Sequence, residues 1–252
     1  MAALADRVGE TADAQRYRKR ANEIRDAYAG AFLDTASKIL AGWRSSDGQL
    51  HNYYFPFVNG IAARYGLIDE ELARQVMDRI LLKMESAGYT NFALGLPGNL
   101  APIRRADYVE PNPRFGAPVR EDGSDGFEIH ENGGATACHA YFTIAALYQL
   151  RETEQGDRIL MPMLESFSRQ GFSGRASNGL TYDWKDWQCS AHGYEGFLVN
   201  NYDSLLAVLD HPHMLKKIPS EAVRANRPIL ADSIESHQKA RTRQACRTLV
   251  AV

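Results

Sequence analysis

The sequence predicts an all-α protein built of helical hairpins, and two observations carry this prediction. Apolar residues recur every three or four positions through most of the chain, which is the period of an amphipathic helix. A segment from Asp78, DRILLKMESAGY, is echoed from Asp157 by DRILMPMLESFS, and each copy follows a more apolar helix after a short connection. Such repeated units bury their apolar faces by stacking on their neighbours. No alternating pattern predicts a strand.

Six helices follow from the periodicity. They are 11–32, 53–66, 69–86, 134–150, 155–170 and 194–209. Gly66 ends the second helix, and Asp69 can cap the third. The fourth segment is apolar nearly all round, which indicates a helix buried on every side.

Composition excludes several classes of protein. The chain has 252 residues, of which 44% are hydrophobic and 24% charged, with a formal net charge of -2. This balance predicts a soluble globular protein without the basic face that nucleic acid or an anionic membrane would need. No apolar run reaches the ~20 residues of a membrane span, and no signal segment is visible. Three cysteines, Cys138, Cys189 and Cys246, form neither a disulfide framework nor a metal-binding spacing.

Aromatic and acidic residues are concentrated in the loops. Segment 171–192 holds Trp184 and Trp187 within TYDWKDWQCSAHG, and Trp43 lies in AGWRSSDGQLH before the second helix. Rings bounded by carboxylates, amides and arginine are typical of a carbohydrate-binding surface, because sugar C–H faces stack on rings while hydroxyls form hydrogen bonds. For any one tryptophan, anchoring its own loop is the alternative.

Each apolar helix begins after a polar and aromatic segment. These segments are HNYYFPFVNG, HENGGATA and HGYEGFLVNNY. Helix N-termini carry unpaired N–H groups and a partial positive charge, so Glu131 and Asn132 can be simple capping residues. Gly133 and Gly134 cost about 1 kcal/mol each inside a helix, and they are easier to explain where backbone approaches a ligand closely.

An ordered series of motifs resembles a known superfamily. WRSSDGQLH at 43–51, PFVNGIAARYGL at 56–67, GYTNFALGLPGNL at 88–100, DGFEIHENGGATA at 125–137 and DWKDW to HGYEGFLVNNY at 183–202 look like the C-terminal half of six-hairpin, (α/α)6-barrel glycoside hydrolases. Trehalase-like members have the most similar layout. The resemblance covers roughly residues 10–210 and implies an incomplete (α/α)6 toroid, about half of a full barrel.

The resemblance also implies roles for acidic residues. Glycoside hydrolysis usually needs one carboxylic acid and one carboxylate. By position, Glu195 is the expected general base, Glu131 its partner or a substrate-binding carboxylate, and Asp183 and Asp125 are reserves. The residues expected to shape the sugar subsites are Trp43, His51, Asn59, Arg104, Asn132, Trp184, Trp187, His192 and Tyr194. The resemblance further implies inversion of configuration, with no metal and no organic cofactor.

The chain departs from the family pattern at both ends. In trehalase-like relatives the general acid lies upstream of the segment that corresponds to Met1, which predicts a fragment unless Glu131 or Asp183 takes that role. We expect residues 1–210 to form the partial glycosidase-like domain and 211–252, with eight Lys or Arg against three Asp or Glu, to form a basic tail. An open half barrel exposes apolar helix faces, which predicts a homodimer or poor solubility. Localisation stays open, with the cytoplasm as the default.

Two other functions fit the same pattern. A sugar isomerase or epimerase on an (α/α)6 barrel would use histidines for proton transfer, and His51, His130, His139 and His192 are the candidates. His139 lies within an apolar run, where a buried core histidine is the more common role. A non-catalytic carbohydrate-binding half barrel is the third reading. A metal site is the weakest of these alternatives, because no HxxxH or HxH pair accompanies an acidic ligand.

Overall fold

The computed structural model describes residues 1–107, 126–129, 132–168, 182–195 and 199–217. The described part is mostly helical, as predicted, and contains eight α-helices and eight short strands. The helices are α1 (Ala2–Arg7), α2 (Thr11–Phe32), α3 (Pro56–Arg64), α4 (Glu70–Ser86), α5 (Ala137–Gln149), α6 (Thr153–Ser168), α7 (Val199–Asp210) and α8 (Pro212–Lys217). Six of them, α2 to α7, lie where the periodicity predicts helices.

The expectation that the chain lacks strands is wrong. The strands are β1 (Leu33–Asp34), β2 (Ile39–Leu40), β3 (Trp43–Arg44), β4 (Leu50–His51), β5 (Leu96–Pro97), β6 (Ala135–Thr136), β7 (Tyr182–Lys185) and β8 (Ala191–Glu195). β1 pairs with β2 and β3 with β4, while β5 to β8 form one antiparallel sheet in sequence order. Most have two residues, too few for an alternating pattern to be read.

Local signals explain where the helices begin and end. The Asp69 side chain accepts a hydrogen bond of 2.8 Å from the Leu72 N–H, so this residue caps α4 as predicted. Pro56 is the first residue of α3, where a missing N–H costs nothing. Gly66 has a φ of +62°, a conformation that glycine adopts readily, and it lies just beyond the end of α3.

Helix α5 lies at the centre of the packing, in contact with α3, α6 and α7. Gly60 of α3 has its closest neighbours on α5: a Cβ atom at this position would lie 2.7 Å from the Phe142 carbonyl carbon and from the Thr143 nitrogen. Only a residue without a side chain allows this approach. Because α5 is enclosed by three helices, most of its residues are buried, as its all-round apolar sequence predicts.

The last residues of three helices meet at one guanidinium. Arg64 ends α3, and it donates to Gln149 Oε1 at 3.0 Å and to Asp210 Oδ1 at 3.2 Å, which are the last residues of α5 and α7. The Tyr141 hydroxyl also donates to Asp210, at 3.0 Å. The contacts of Gly60 with Thr143 and of Arg64 with Gln149 follow the same order along both helices, so α3 and α5 run in the same direction.

The contacts divide the chain into two compact units. The first comprises Met1–Ile24 and the described residues from His213 onward, and the second is Arg25–Pro212. Ala5 and Ala14 are buried in the first unit, where Arg18 pairs with Asp6. The main hydrophobic core lies in the second unit. Among the described helices, none combines the length with the apolar composition that a membrane-spanning segment needs. The predicted boundary at residue 210 stays a prediction.

Candidate functional site

A continuous series of aromatic rings runs along the N-terminal ends of α3 and α5, and we call it the aromatic row. Its members are Trp43, His51, Tyr53, Phe55, Phe57, His139 and Trp184. Trp43 stacks on His51 with centroids 4.8 Å apart, Phe57 stacks on His139 at 4.5 Å, and Trp184 meets His139 edge to face at 5.1 Å. Tyr53 and Phe55 connect the two ends through contacts of 5.8–6.4 Å.

The local sequence explains the row. His51, Tyr53, Phe55 and Phe57 occupy every second position of the segment that leads into α3, whose first residue is Pro56. Tyr54 between them has a φ of +56°. Trp43, Phe57, His139 and Trp184 are partly exposed, whereas His51, Tyr53 and Phe55 are buried beneath them. The row therefore combines four partly exposed aromatic residues with three buried ones that pack against them.

His51 belongs to a polar cluster at one end of the row. Its Nδ1 lies 3.4 Å from Asp107 Oδ1, and its Nε2 lies 3.1 Å from the Ser45 hydroxyl. The Tyr53 hydroxyl donates to Asp107 Oδ2, and Arg104 Nε donates to the same oxygen at 3.0 Å. His51 is buried and the Asp107 side chain is 9% exposed, while the Arg104 side chain is 65% exposed.

This network holds opposite charges beside the row. The hydrogen bond from Tyr53 is the largest cause of the lowered pKa of the Asp107 carboxyl; burial opposes it, and Arg104 lowers that pKa further. The hydrogen bond with Tyr53 and the neighbouring Asp107 raise the pKa of the Arg104 guanidinium. Asp107 is therefore a carboxylate at neutral pH, held by two donors on one oxygen.

His139 is a neutral imidazole within the row. Burial lowers its pKa from 6.5 to about 4, and its Nδ1 is buried without a hydrogen-bond partner in the described part of the chain. The ring lies between Phe57 and Trp184 in the first turn of α5. The core position expected for His139 from its apolar surroundings is thus only partly right, because one side of the residue reaches the partly exposed row.

The four-stranded sheet carries two of the predicted catalytic residues. Asp183 lies in β7, next to Trp184, and Glu195 is the last residue of β8, where its backbone pairs with Tyr182. His192 pairs with Trp184, and Tyr194 lies in the same strand. The side chains of Asp183, His192, Tyr194 and Glu195 lie outside the described part. The backbone register nevertheless brings both acids onto neighbouring strands beside Trp184.

Lys185 follows Trp184 in β7 and is buried. Burial lowers the pKa of its ammonium group to about 8. Among the described residues, no group of three or more His, Cys, Asp or Glu side chains forms a metal site.

Trp187 and Asn132 have evident structural contacts. Trp187 Nε1 donates to the Gly133 carbonyl at 2.7 Å, and its ring meets Tyr89 and Phe127 edge to face. Asn132 Oδ1 accepts from Asn99 Nδ2 at 3.1 Å and from the Ile103 N–H at 3.0 Å. Both residues therefore hold the segment before α5 in place, as the anchoring alternative states for Trp187.

Asn59 lies in the interior and has no exposed surface. Its amide accepts from the Leu40 N–H at 2.9 Å and donates to the carbonyls of Leu40 at 3.2 Å and Phe55 at 2.8 Å. These bonds hold α3 against β2. Asn59 therefore has a structural role in this geometry. Two other predicted site residues, Glu131 and Asp125, lie outside the described residues, as does His130.

Sequence reasoning missed Phe57, Tyr53 and Asp107. The every-second spacing of rings at 51–57 was a usable signal for the first two. Asp107 lies in a short 3-10 helix, Arg105–Asp107, far along the chain from His51, and nothing local in the sequence indicates that contact. Comparison of the sequence with models of protein families and with curated proteins gives no match.

Proposed function

We propose that the chain is a glycoside hydrolase on an incomplete (α/α)6 toroid, or the C-terminal part of one. The observation that supports this most is the aromatic row, whose partly exposed rings lie at the N-terminal ends of two parallel helices. Flat rings bind the apolar C–H faces of sugars, and the polar cluster at His51 offers hydrogen bonds to hydroxyl groups. A carbohydrate is accordingly the proposed substrate.

The helix arrangement is compatible with a toroid segment. In such an array, inner helices run parallel and each is followed by an outer helix. α3 and α5 run in the same direction, and each is followed by a more amphipathic helix, α4 and α6, against which it packs. Closure into half a barrel is part of the proposal.

The proposed chemistry uses two carboxyl groups. Glu195 acts as general base toward water, and Glu131 acts as its partner, with Asp183 and Asp125 as the reserve acids. An inverting pair stands about 6.5–9.5 Å apart so that water fits between the base and the sugar carbon. The backbones of Asp183 and Glu195 lie on neighbouring strands beside Trp184, which supports a role for this sheet at the reacting bond.

Hydrolysis of a panel of aryl glycosides and disaccharides tests the proposal. Glu195→Gln and Glu131→Gln should each lower kcat by about 10²–10⁴-fold, because each removes one proton transfer. Unchanged kcat in both variants contradicts the assignment of these two residues. Asp183→Asn and Asp125→Asn then test the reserve acids in the same assay.

Removal of one exposed ring tests the sugar-binding surface. Trp184→Ala should raise KM or weaken sugar binding by about fivefold, since a stacking contact contributes on the order of 1 kcal/mol. Tyr65→Ala is the matched control, because Tyr65 is an exposed aromatic residue at the other end of α3. Equal effects of the two variants would contradict the proposed surface.

The competing functions give different results in the same experiments. A sugar isomerase would interconvert free monosaccharides and cleave no glycoside. A non-catalytic carbohydrate-binding fragment would bind sugar in calorimetry without turnover on the panel. The contact of His51 with Asp107 is the observation that favours an isomerase, because an imidazole beside a carboxylate is suited to proton transfer.

A further inference from the structure

A second constellation of reactive side chains lies at the β3–β4 hairpin. The Ser45 hydroxyl is 3.1 Å from His51 Nε2, and on the other side of the imidazole Nδ1 is 3.4 Å from Asp107 Oδ1. A hydroxyl, an imidazole and a carboxylate are thereby connected in the order that activates a serine nucleophile. Such triads are recognised by geometry and not by fold or sequence order.

Asp107 is fixed independently of His51. Both of its strong donors, the Tyr53 hydroxyl and Arg104 Nε, contact Oδ2, which leaves Oδ1 directed to the imidazole. His51 is further fixed by its stack on Trp43, with the two planes 7° apart. The 3.4 Å contact is within ion-pair distance but is not a hydrogen bond, and His51 Nδ1 is buried without a hydrogen-bond partner in the described part of the chain. Hydrogen bonds of catalytic residues often form fully only when substrate binds.

Ser45 is accessible, and the backbone N–H of Ser46 follows it directly in the chain. Ser45 is partly exposed, whereas His51 is buried and the Asp107 side chain is 9% exposed. Within the described ranges, the N–H of Ser46 makes no hydrogen bond. In one large class of serine hydrolases, the N–H of the residue after the nucleophile stabilises the oxyanion.

One neighbouring group competes for the serine proton. The Ser45 hydroxyl also contacts Asp47 Oδ1 and lies 3.3 Å from the Gln49 carbonyl. A hydroxyl has a single proton, so donation to Asp47 withdraws that proton from His51. Asp47 lies in the exposed turn of the hairpin, and its removal therefore tests the competition directly.

We propose that Ser45 is a nucleophile toward carboxylic esters, with His51 as its base and Asp107 as a positioning residue. Ser45 Oγ forms a bond to the ester carbonyl carbon while its proton passes to His51 Nε2. The C–O bond to the alcohol then breaks, and the alkoxide takes that proton. Water, deprotonated by His51, hydrolyses the acyl-serine and releases the acid.

This inference does not depend on glycoside hydrolysis, and a covalent probe tests it on the full chain. A fluorophosphonate should label the wild-type protein, and peptide mass spectrometry should locate the adduct on Ser45. Absence of a Ser45 adduct after prolonged incubation would overturn the inference. Ser86→Ala is the matched control, since it removes an exposed serine hydroxyl from α4 and should leave the labelling rate unchanged.

Variants of the other members separate catalysis from folding. His51→Gln should slow the labelling of Ser45 by at least about 100-fold, and Asp47→Ala should leave it unchanged or raise it. Equal labelling in wild type and His51→Gln, or loss of labelling in Asp47→Ala with an unchanged melting temperature, would overturn the inference.

Steady-state hydrolysis of p-nitrophenyl acetate tests the positioning role of Asp107. Asp107→Asn should lower kcat by at least about 100-fold while KM stays within about twofold, because the carboxylate orients the imidazole and does not contact the ester. A rise in KM without a fall in kcat would contradict that role. The melting temperature of each variant is measured alongside, so that a loss of structure is recognised.

Discussion

The imidazole of His139 stacks face to face on the ring of Phe57, with centroids 4.5 Å apart and planes 11° apart. This contact joins the first turns of α3 and α5. It is also the link between the part of the aromatic row on α3 and the part on α5. Because burial removes water from the imidazole, its charged form is disfavoured, and the pKa of His139 falls to about 4.

The lowered pKa of His139 predicts a loss of stability in mild acid. Between pH 4 and 6.5 the unfolded chain binds a proton at this residue and the folded chain does not, so the free energy of unfolding rises with pH in that window. His139→Phe should remove about 2 kcal/mol of this dependence, the partly exposed ring giving less than the full shift implies. Urea denaturation at about pH 4.5 and about pH 7 measures it.

The wild-type chain, measured beside His139→Phe at the same two pH values, is the control for that experiment. If His139→Phe keeps the full wild-type difference, carboxyl groups and not His139 cause the acid sensitivity.

Gly60 and Gly30 form a matched pair of helix glycines with opposite predicted effects. A Cβ atom at Gly60 would lie 2.7–2.9 Å from backbone atoms of Phe142 and Thr143, so Gly60→Ala should destabilise the fold by about 1–3 kcal/mol. Gly30 of α2 has nothing within 4 Å of its Cβ position, and Gly30→Ala should stabilise by about 0.5–1 kcal/mol. Thermal melts compare the two, and a stable Gly60→Ala would mean that the helices can separate freely.

The ion pair of Arg64 with Asp210 should contribute far more than an exposed pair. Asp210→Ala leaves the Arg64 guanidinium, which is 12% exposed, without its carboxylate, and should cost about 3–5 kcal/mol. Glu85→Ala breaks the exposed pair with Arg158 and should cost less than about 1 kcal/mol. Chemical denaturation gives both values. Similar costs in the two variants would mean that water reaches Arg64.

Removal of the Asn59 amide should destabilise the fold without affecting chemistry directly. Asn59→Ala leaves the Leu40 N–H and carbonyl without their partner, at a cost of about 2–4 kcal/mol. Asn59→Asp, which restores an acceptor for the Leu40 N–H but buries a charge, should not rescue stability. A variant that folds normally yet loses sugar binding would instead place Asn59 in the ligand site.

The sequence was informative about helices because each long helix buries one stripe of side chains. The bounds of α2 match the predicted 11–32, and the remaining five helices differ from prediction by up to about five residues at their ends, where local pattern is weakest. The two-residue strands were not predictable, because their existence depends on pairing between distant segments. β5 and β6, for example, pair Leu96 with Thr136.

The residues of the candidate site are predictable only where the loops are rich in aromatic residues. Trp43 and Trp184 were identified as surface aromatics from the loops that contain them, and both lie in the row. His139 was obscured by its apolar neighbours, since only the position of β7 against α5 makes one side of that ring part of the surface. Asp107 could not be assigned, because its contact with His51 joins two loops through a fold that the local sequence does not specify.

The junction at Arg64 has a mechanical consequence for the opposite end of the helices. Three helices are fastened together at their last residues, so any splaying motion pivots there. α5 has 13 residues, a length of about 20 Å at about 1.5 Å per residue. A tilt of about 3° about that pivot would shift its first turn by about 1 Å. Because the Phe57–His139 stack also joins α3 and α5 at their first turns, we expect these two helices to tilt together and to carry the rings with them.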